Sequence, residues 1–479
     1  MTRSVPQPPA ETTTTAPDAV VALVEHCLET DYGTLPEPVV AATRNQILDT
    51  LGIALAGSGQ SGARQLCEFT IEMAGKPEAR IWGTDVRVPA QDAARVNATM
   101  SHSLDYDDTH ERSLVHPSVI TIPAALATAD MLGDVSGEEV ITAIALGVDI
   151  ACRLASSARP GVPAFEHGWH NTTLYGYFAS AVVAGKLMRL TRDQLISALG
   201  IAFHQASGNS QAHVDGALTK RMGPGFATYG GMLSARLALR GVQGATGVLE
   251  GVRGFFHQYH DNDYSRDILF EGLGSTFAGA EVAFKPWPSC RGSHTALDAA
   301  LSIFAESGVE ADHVDAITIF NGPGEFPLLA APLAKKQNPA SVVDAQFSIP
   351  WVVAAALVDR EVTLEHFTPS AIRRADLLAV TRRIQTVEEE GLVRPGGGPG
   401  AARVEVRLKD GRTLSQTVAY AKGEPGNPMS AEEFRQKFLN CTRLAGMSSA
   451  QAEGLFNDIC RLEDLPLTQV LTDASVVRE

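Results

Sequence analysis

The sequence predicts a mainly α-helical protein in which a smaller α+β domain is inserted into a large all-helical domain. Three observations lead to this fold class. Apolar residues recur at helical spacing over roughly the first 280 residues. After Phe284 the pattern changes to short stretches of alternating polar and apolar residues, which are typical of strands. A helical pattern returns after Ser430, so the α+β part lies between two parts of the helical domain.

These changes of pattern divide the chain into four parts. The N-terminus is rich in Thr and Pro and has no apolar core, so we expect it to be disordered. The predicted parts are a disordered N-terminus (residues 1–17), a first helical part (18–282), an α+β lid domain (283–424) and a helical return segment (425–479).

Capping boxes mark three helix starts. In each, a Ser or Thr is followed three residues later by Glu or Gln, just ahead of an apolar stripe. The pairs are Ser136 with Glu139, Thr191 with Gln194, and Ser430 with Glu433. The run of Ala, Val and Gly between Leu174 and Leu190 predicts a fully buried helix.

Strands are predicted where polar and apolar residues alternate. These stretches are residues 316–320, 379–387, 403–408 and 413–421. Residues 409–412 read Lys-Asp-Gly-Arg, which predicts a hairpin between the last two strands. Pro350 is expected to open a helix that runs through Leu357.

Composition excludes several classes of protein. The net charge of −16 argues against nucleic acid as a partner, because phosphate binding needs a basic face. We expect no segment that is apolar and long enough to cross a membrane. The six cysteines are scattered without metal-ligand spacing, which favours a reducing compartment and a cytoplasmic location.

The densest polar cluster runs from His102 to His110 and contains Asp105, Asp107 and Asp108. Carboxylates this close together are expected to raise one another's pKa, which suits a general acid or base. A solvated acidic loop or a capped helix end has the same composition and is the alternative.

Two further interpretations of this cluster are weaker. Side chains of metal-ligand type occur at Asp105, Asp108, His110 and His116, but their spacing matches no metal-binding pattern. Residues 105–108 also match the Asp-x-Asp-Asp motif of class II terpene cyclases, which stabilise cations with aromatic rings. Only 6% of this chain is aromatic, which argues against that chemistry. We expect neither a metal nor a cofactor.

Two histidines and two lysines stand at positions that suit a site. His116 and His170 each precede a predicted helix, where a His can donate to an anion, although a lone His is more often structural. Lys220 lies in a Gly- and Pro-rich segment, residues 219–225, that we interpret as a turn. Lys285 is followed by Pro286, which fixes the backbone around it.

Cys290 and His294 follow this lysine closely. Cys290 would be a nucleophile only beside a base, and we interpret it as a small packing residue.

Motifs in this order resemble the MmgE/PrpD family over nearly the whole chain from about Asp18. They are Leu104-Asp105-Tyr106-Asp107-Asp108-Thr109, His116-Pro117-Ser118, Gly168-Trp169-His170, Thr219-Lys220, and residues 284–290, 344–350 and 422–428. Each motif alone is weak, but the ordered set is specific. The family contains 2-methylcitrate dehydratase, cis-aconitate decarboxylase and iminodisuccinate epimerase.

The resemblance implies a helical domain, a smaller lid domain, a homodimer, and a metal-free active site between the domains. The implied substrate is a small anionic polycarboxylate. Carried over motif by motif, the implied catalytic residues are Asp105, Thr109, His116 and His170, and the implied substrate-binding residues are Lys220, Lys285 and His294.

The three reactions share a carbanion, or a state close to one, next to a carboxylate. Such a state needs cations around the carboxylates and an acid or base at carbon. We expect a dehydratase of the 2-methylcitrate type first, then a decarboxylase of the cis-aconitate type, then an epimerase. A catalytically silent binding protein on the same fold is the alternative from another class.

Two positions depart from the family pattern. Gly223 stands where the resemblance predicts His, and Asn171 stands where it predicts Pro. Loss of a His beside Lys220 predicts a more open and less cationic corner, and hence a substrate other than 2-methylcitrate. If position 223 faces away from the pocket, the glycine only eases the turn.

Overall fold

The computed structural model describes residues 16–160, 168–394 and 399–477. The predicted disorder of residues 1–17 falls almost entirely outside these ranges.

The first part of the chain is built from helices, as predicted. In chain order they are α1 (Ala19–Glu29), α2 (Glu37–Gly57), α3 (Ala63–Met73), α4 (Ala90–Ser101), α5 (Ser118–Leu132), α6 (Gly137–Ser157), α7 (Asn171–Leu187), α8 (Arg192–Gln205), α9 (Gln211–Asp215), α10 (Thr219–Leu239), α11 (Phe255–His260) and α12 (Arg266–Phe270). A two-stranded antiparallel sheet, β1 (Ala79–Arg80) and β2 (Arg87–Val88), lies between α3 and α4.

The second part mixes helices and strands. It contains α13 (His294–Ser307), β3 (Val314–Asn321), α14 (Leu333–Gln337), α15 (Val342–Gln346), α16 (Ile349–Asp359), α17 (Ala375–Thr381), β4 (Ile384–Glu388), β5 (Ala402–Leu408) and β6 (Thr413–Val418). The strands form one sheet in the order β4-β3-β5-β6, in which only β3 and β4 are parallel. The chain ends in α18 (Ala431–Leu444), α19 (Ser449–Cys460) and α20 (Gln469–Ala474).

Most of the predicted elements are confirmed. The three capping boxes begin α6, α8 and α18. The buried run is α7, and the helix opened by Pro350 is α16. The strands expected at 316–320, 403–408 and 413–421 are β3, β5 and β6, and the hairpin between β5 and β6 has Gly411 at a φ of +89°.

Two local predictions were wrong. The strand expected at 379–387 begins only at Ile384, because Leu377 and Val380 face the core at helical spacing and belong to α17. The turn expected at 219–225 is the first part of α10. Its glycines serve close packing, since a Cβ on Gly225 would lie 2.5 Å from the Thr99 Oγ1 of α4.

The buried apolar residues form two large clusters. One joins the helices of the first part, apart from the short α9, to the C-terminal helices through residues such as Phe434, Phe438 and Leu455. The other is formed by residues 296–408, with Trp351 fully buried at its centre. The boundaries at 283 and 424, and the role of the second part as a lid, stay predictions.

The expectation that no segment is apolar and long enough to cross a membrane was wrong. α6 meets both criteria, with a mean hydropathy of 1.6 over its most apolar stretch. However, 94% of that stretch is buried inside the protein, as in the core helix of a soluble protein. Its apolar surface therefore packs against neighbouring helices such as α7.

Helices α7 and α10 pack closely and run in the same direction. Near their N-termini, a Cβ on Gly223 would lie 2.3 Å from Thr173 Oγ1. About two turns further, a Cβ on Gly231 would lie 2.0 Å from Ser180 Oγ. Because the contacts follow the same order along both helices, their N-termini lie side by side.

The close packing of α7 against α10 leads to a prediction about the stability of the protein. Gly231→Ala should lower the free energy of unfolding by about 1–3 kcal/mol, because the added methyl group would overlap the Tyr177 backbone oxygen, 2.5 Å away. Gly454→Ala is the matched control, since that exposed α19 glycine has nothing within 4 Å of an added Cβ. Urea unfolding should show the control unchanged or up to about 1 kcal/mol more stable. Equal stability of the two variants would contradict this packing.

Candidate active site

The predicted polar cluster lies in the loop between α4 and α5, and its carboxylates are buried. Asp107 is 0% exposed and Asp108 is 1% exposed. Asp105 adopts a left-handed backbone conformation, with a φ of +55°, which is uncommon for a residue other than glycine. The interpretation of this segment as a solvated acidic loop is therefore wrong.

The N-termini of three long helices surround this loop. His116 precedes α5 by two residues, His170 is the N-cap of α7, and Lys220 is the second residue of α10. The Thr172 hydroxyl in the first turn of α7 accepts a hydrogen bond from the His116 backbone N–H, at 3.0 Å. Because the positive ends of helix dipoles meet here, the arrangement favours an anion.

Asp105 joins the two predicted lysines. Lys220 Nζ donates to its Oδ1 at 3.3 Å, and Lys285 Nζ lies 3.7 Å from the same oxygen and donates to the backbone carbonyl at 2.9 Å. Burial raises the pKa of the Asp105 carboxyl, but the two ammonium groups outweigh it and hold the pKa well below its usual range. One carboxylate thus faces two cations.

Asp107 is the common partner of two imidazoles. Its Oδ2 lies 2.7 Å from His102 Nδ1 and 3.1 Å from His116 Nδ1. Burial opposes the charge, yet these two rings hold the pKa of Asp107 well below its usual range. An ionised carboxylate only accepts hydrogen bonds, so both rings carry their proton on Nδ1 and leave a lone pair on Nε2.

Further contacts fix His116 in the same orientation. Its Nδ1 lies 2.6 Å from the Asp108 carbonyl oxygen and 3.1 Å from the Thr109 hydroxyl. Thr109 is itself held by a backbone pairing with Ala283. Within this structure, the predicted residue Thr109 therefore orients an imidazole.

His170 completes a group of three imidazoles. Its ring centroid is 5.7 Å from that of His102, which is 5.2 Å from that of His116. The pKa of all three rings is lowered, first by burial and then by neighbouring groups such as Lys220, and that of His102 falls to about 4. The cluster therefore holds neutral imidazoles at neutral pH.

The expectation that the clustered carboxylates raise one another's pKa was wrong for Asp105 and Asp107, because cations and ring N–H groups face them. Of the three, only Asp108 has its pKa raised, to about 8, and the main cause is burial, with smaller contributions from the Asp49 and Asp107 carboxyl groups. The Ser118 hydroxyl donates to the Asp108 carboxyl, so this group is bound to the start of α5.

Lys285 is buried, and hydrogen bonds from Lys437 hold the backbone around it. The side chain is only 2% exposed, and although burial lowers its pKa, Asp105 raises it above the usual value. Lys437 of α18 donates to the Lys285 carbonyl at 2.8 Å and to the Tyr106 carbonyl at 2.9 Å. Its Nζ also lies 2.5 Å from Asp49 Oδ1. The return segment thus fixes the site loop against the lysine.

His294 lies beside the cluster without a direct bond to it among the described residues. It begins α13, it is fully buried, and its Nδ1 lies 2.9 Å from Arg291 Nη1. Burial lowers its pKa well below the usual value. Cys290 has its pKa raised to about 11 by burial, which agrees with a packing residue and not a nucleophile.

The structure adds residues that the sequence interpretation did not select. His102 was seen as part of the cluster, but its pairing with Asp107, five residues away, needed the loop geometry. Thr173, whose hydroxyl is 2.7 Å from His170 Nδ1, and His213, whose ring is 4.8 Å from that of His170, carried no sequence signal. Lys437 looked like any surface lysine of an amphipathic helix.

The glycine that departs from the family pattern faces the site. A Cβ on Gly223 would lie 2.3 Å from Thr173 Oγ1 and 3.4 Å from His170 Nδ1. The interpretation that this position faces away is therefore wrong. The space beside Gly223 that was expected to be open is filled by the Thr173 hydroxyl. A larger side chain at position 223 therefore needs a change at position 173.

The metal-site interpretation finds no support in the geometry. No group of three or more His, Cys, Asp or Glu side chains in the described ranges is arranged to hold a metal ion. The candidate ligands instead bond to separate protein groups. Their partners are Lys220 for Asp105, Ser118 for Asp108, Ser113 for His110 and Asp107 for His116.

The fold and the site together define a cluster of carboxylates, imidazoles and ammonium groups at converging helix N-termini. The chain belongs to the MmgE/PrpD family, as the ordered motifs predicted. The MmgE/PrpD N-terminal domain matches residues 21–267, and the MmgE/PrpD C-terminal domain matches residues 287–458.

Individual relatives are similar over almost their whole length. Cis-aconitate decarboxylase of Aspergillus terreus is 26% identical over 469 residues, which cover 93% of this chain and 92% of the relative. The human cis-aconitate decarboxylase is 28% identical, covering 92% and 91%. A 2-methylcitrate dehydratase of Cupriavidus necator is 25% identical, covering 89% and 91%. Decarboxylases and dehydratases of this kind are lyases, so this chain is similar to lyases end to end.

The tautomers assigned above can be tested without a substrate. In nitrogen-15 NMR of labelled histidine at neutral pH, His102 should be protonated on Nδ1 only and should stay neutral down to about pH 4. Asp107→Asn should abolish this preference, because an amide also donates. Asp108→Asn is the control and should leave the His102 signals unchanged. A wild-type His102 protonated on Nε2 would show that the assignment is wrong.

Proposed function

We propose that this protein is a lyase that acts on a small di- or tricarboxylate through a carbanion next to a carboxylate. The observation that carries the proposal is the meeting of two ammonium groups and three neutral imidazoles around Asp105 and Asp107. Cations hold carboxylates and stabilise developing negative charge, and imidazoles move the proton at carbon.

Lys220 and Lys285 are the proposed anchors for substrate carboxylates. Asp105 is the one carboxylate that directly faces both ammonium groups in the described part of the chain, because Asp107 contacts His102 and His116 instead, so the two lysines share a single direct counter-ion. The helix N-termini add further positive potential. The second Asp105 oxygen, Oδ2, is buried and has no hydrogen-bond partner in the part of the chain described, so it is open to a donor brought by a ligand.

His102 and His116 are the proposed bases, and His170 is the proposed partner that supplies or receives a proton beside them. The Nε2 of His102 is buried and without a hydrogen-bond partner among the described residues. A buried lone pair of this kind is costly unless a ligand or a proton uses it. Asp107 would stabilise the imidazolium that forms when either ring accepts a proton.

Decarboxylation of a cis-aconitate-like acid is the first candidate reaction. The similarity to relatives named cis-aconitate decarboxylase, in a fungus and in human, supports it. In this reaction the bond to the departing carboxylate breaks, carbon dioxide leaves, and the remaining electron pair takes a proton. The lysines would stabilise that electron pair through the carboxylate next to it.

Dehydration of a 2-methylcitrate-like acid is the second candidate. The lone pairs on His102 and His116 Nε2 favour it, because dehydration begins with removal of a proton from carbon. Epimerisation uses the same bases without loss of a group. The homodimer and the cytoplasmic location implied by the resemblance stay predictions.

A panel of acids followed by NMR in heavy water tests the proposal. Purified protein is incubated with cis-aconitate, 2-methylcitrate, citrate and iminodisuccinate. Loss of carbon dioxide with deuterium at the product carbon is the expected result, while loss of water or bare deuterium exchange would select dehydration or epimerisation. Complete inertness toward these and related polycarboxylates would favour a silent binding protein.

If Lys220 and Lys285 anchor substrate carboxylates, their removal should change the kinetics. Lys220→Ala and Lys285→Ala should each lower kcat/KM by about 30- to 5,000-fold, the range for truncating one partner of a buried charge pair, roughly 2–5 kcal/mol. Lys409→Ala, on the exposed hairpin, is the control and should retain wild-type kinetics. Because Lys285 is buried, circular dichroism must first show that its variant is folded. Wild-type kcat/KM in either variant would exclude that lysine as an anchor.

The proposed reaction uses only protein side chains, which predicts insensitivity to chelators. Protein treated exhaustively with EDTA and with a transition-metal chelator should retain its full activity on the acid that the panel identifies. The measurement is kcat before and after treatment, with metal content determined in parallel. Activity that is lost and then restored by zinc, iron or magnesium would revive the metal-site interpretation of Asp105, Asp108, His110 and His116.

A further inference from the structure

We propose that His213 is the solvent-facing end of a histidine relay that brings protons from water to the reaction site. The relay runs through His170 to the pair formed by His102 and His116. This inference rests on the proposed function, specifically on decarboxylation, and names the route by which that reaction obtains its proton.

The geometry consists of four imidazoles in a row. Successive ring centroids are 4.8 Å apart from His213 to His170, 5.7 Å from His170 to His102, and 5.2 Å from His102 to His116. Separations of this size fit rings that exchange a proton directly or across one water. Exposure decreases from His213, which is exposed, through the half-buried His170 to His102, which is 1% exposed, while His116 beyond it is half-buried.

The inner end of the row is built to receive a proton. Asp107 holds His102 and His116 through Nδ1, so the lone pair of each ring is on Nε2. Protonation at Nε2 would give an imidazolium beside the Asp107 carboxylate, which is a favourable pair. In the resting site, however, neither ring has a proton on Nε2 to deliver.

The middle of the row is held rigidly. The Thr173 hydroxyl contacts His170 Nδ1 at 2.7 Å, and the absence of a side chain on Gly223 leaves room for that hydroxyl. His170 is thereby kept between His213, on the short helix α9, and His102, at the end of α4. The rings come from three segments, namely the loop between α4 and α5, the start of α7, and α9, so the row is a product of the tertiary fold.

Proton balance shows when such a relay is needed. In decarboxylation the carbon–carbon bond breaks, carbon dioxide departs, and the electron pair left on carbon binds a proton that the substrate did not supply. One proton therefore enters from water in every turnover. In dehydration the proton removed from carbon leaves with the hydroxyl as water, so no net uptake occurs. The relay thus matters for the first reaction only.

The test compares His213→Gln with wild type on the acid that wild type decarboxylates. Gln keeps a polar side chain, but its amide does not take up and release a proton as an imidazole does. We expect kcat to fall about tenfold or more with KM unchanged, since positioned proton transfer contributes on the order of 10²–10⁴ in rate. Free imidazole in the buffer should restore most of the rate. His204→Gln, an exposed residue of α8 outside the row, is the matched control.

The outcomes separate this inference from the proposed function. If wild type transforms no polycarboxylate, the proposed function fails. If wild type decarboxylates and His213→Gln has a kcat within twofold of it, the relay is wrong. A loss that free imidazole does not restore, or a rise in KM at constant kcat, would assign His213 to substrate contact or structure instead. A wild-type enzyme that only dehydrates would also overturn the relay.

Discussion

The site depends on one buried carboxylate, Asp107, whose charge is stabilised mainly by the two imidazole rings that face it. Removal of either imidazole would take away part of the compensation for this charge in a buried environment. The hydrogen bond from His102 to Asp107, and that from His116 to the Asp108 carbonyl beside Asp107, determine the tautomers of the two rings. Charge compensation and catalytic orientation therefore have a single physical cause, and the loop between α4 and α5 must keep its shape for both.

That loop keeps its shape because helices meet around it at short distances. The glycines of α10 allow close contact with α7 and α4, which places His170 and Lys220 at adjacent helix N-termini. Lys437 of α18 then donates hydrogen bonds to the carbonyls of Tyr106, in the loop after α4, and of Lys285. The charges of the site therefore depend on the packing of the helices and on the C-terminal helix α18.

Local sequence signals predicted the helices, the capping boxes and three of the four strands of the larger sheet, because each depends on neighbours along the chain. They failed at residues 219–225, where Gly and Pro usually indicate a turn but serve interhelical packing here. Ordered motifs indicated Asp105, His116, His170, Lys220 and Lys285. The lowered pKa of Asp107 could not be predicted, since it depends on how the loop folds His102 and His116 onto the carboxylate. The contact between His213 and His170 could not be predicted either, since the two residues are distant in sequence.

The central claim is that Lys220 and Lys285 hold the carboxylates of a substrate beside the imidazoles oriented by Asp107. A crystal structure with propane-1,2,3-tricarboxylate, which has neither a double bond nor a hydroxyl group to react, tests it most directly. We expect carboxylate oxygens within hydrogen-bond distance of both lysine Nζ atoms, with a carbon of the ligand facing the Nε2 of His102 or His116. A ligand bound elsewhere, with the contacts between Asp105 and the lysines unchanged, would contradict it.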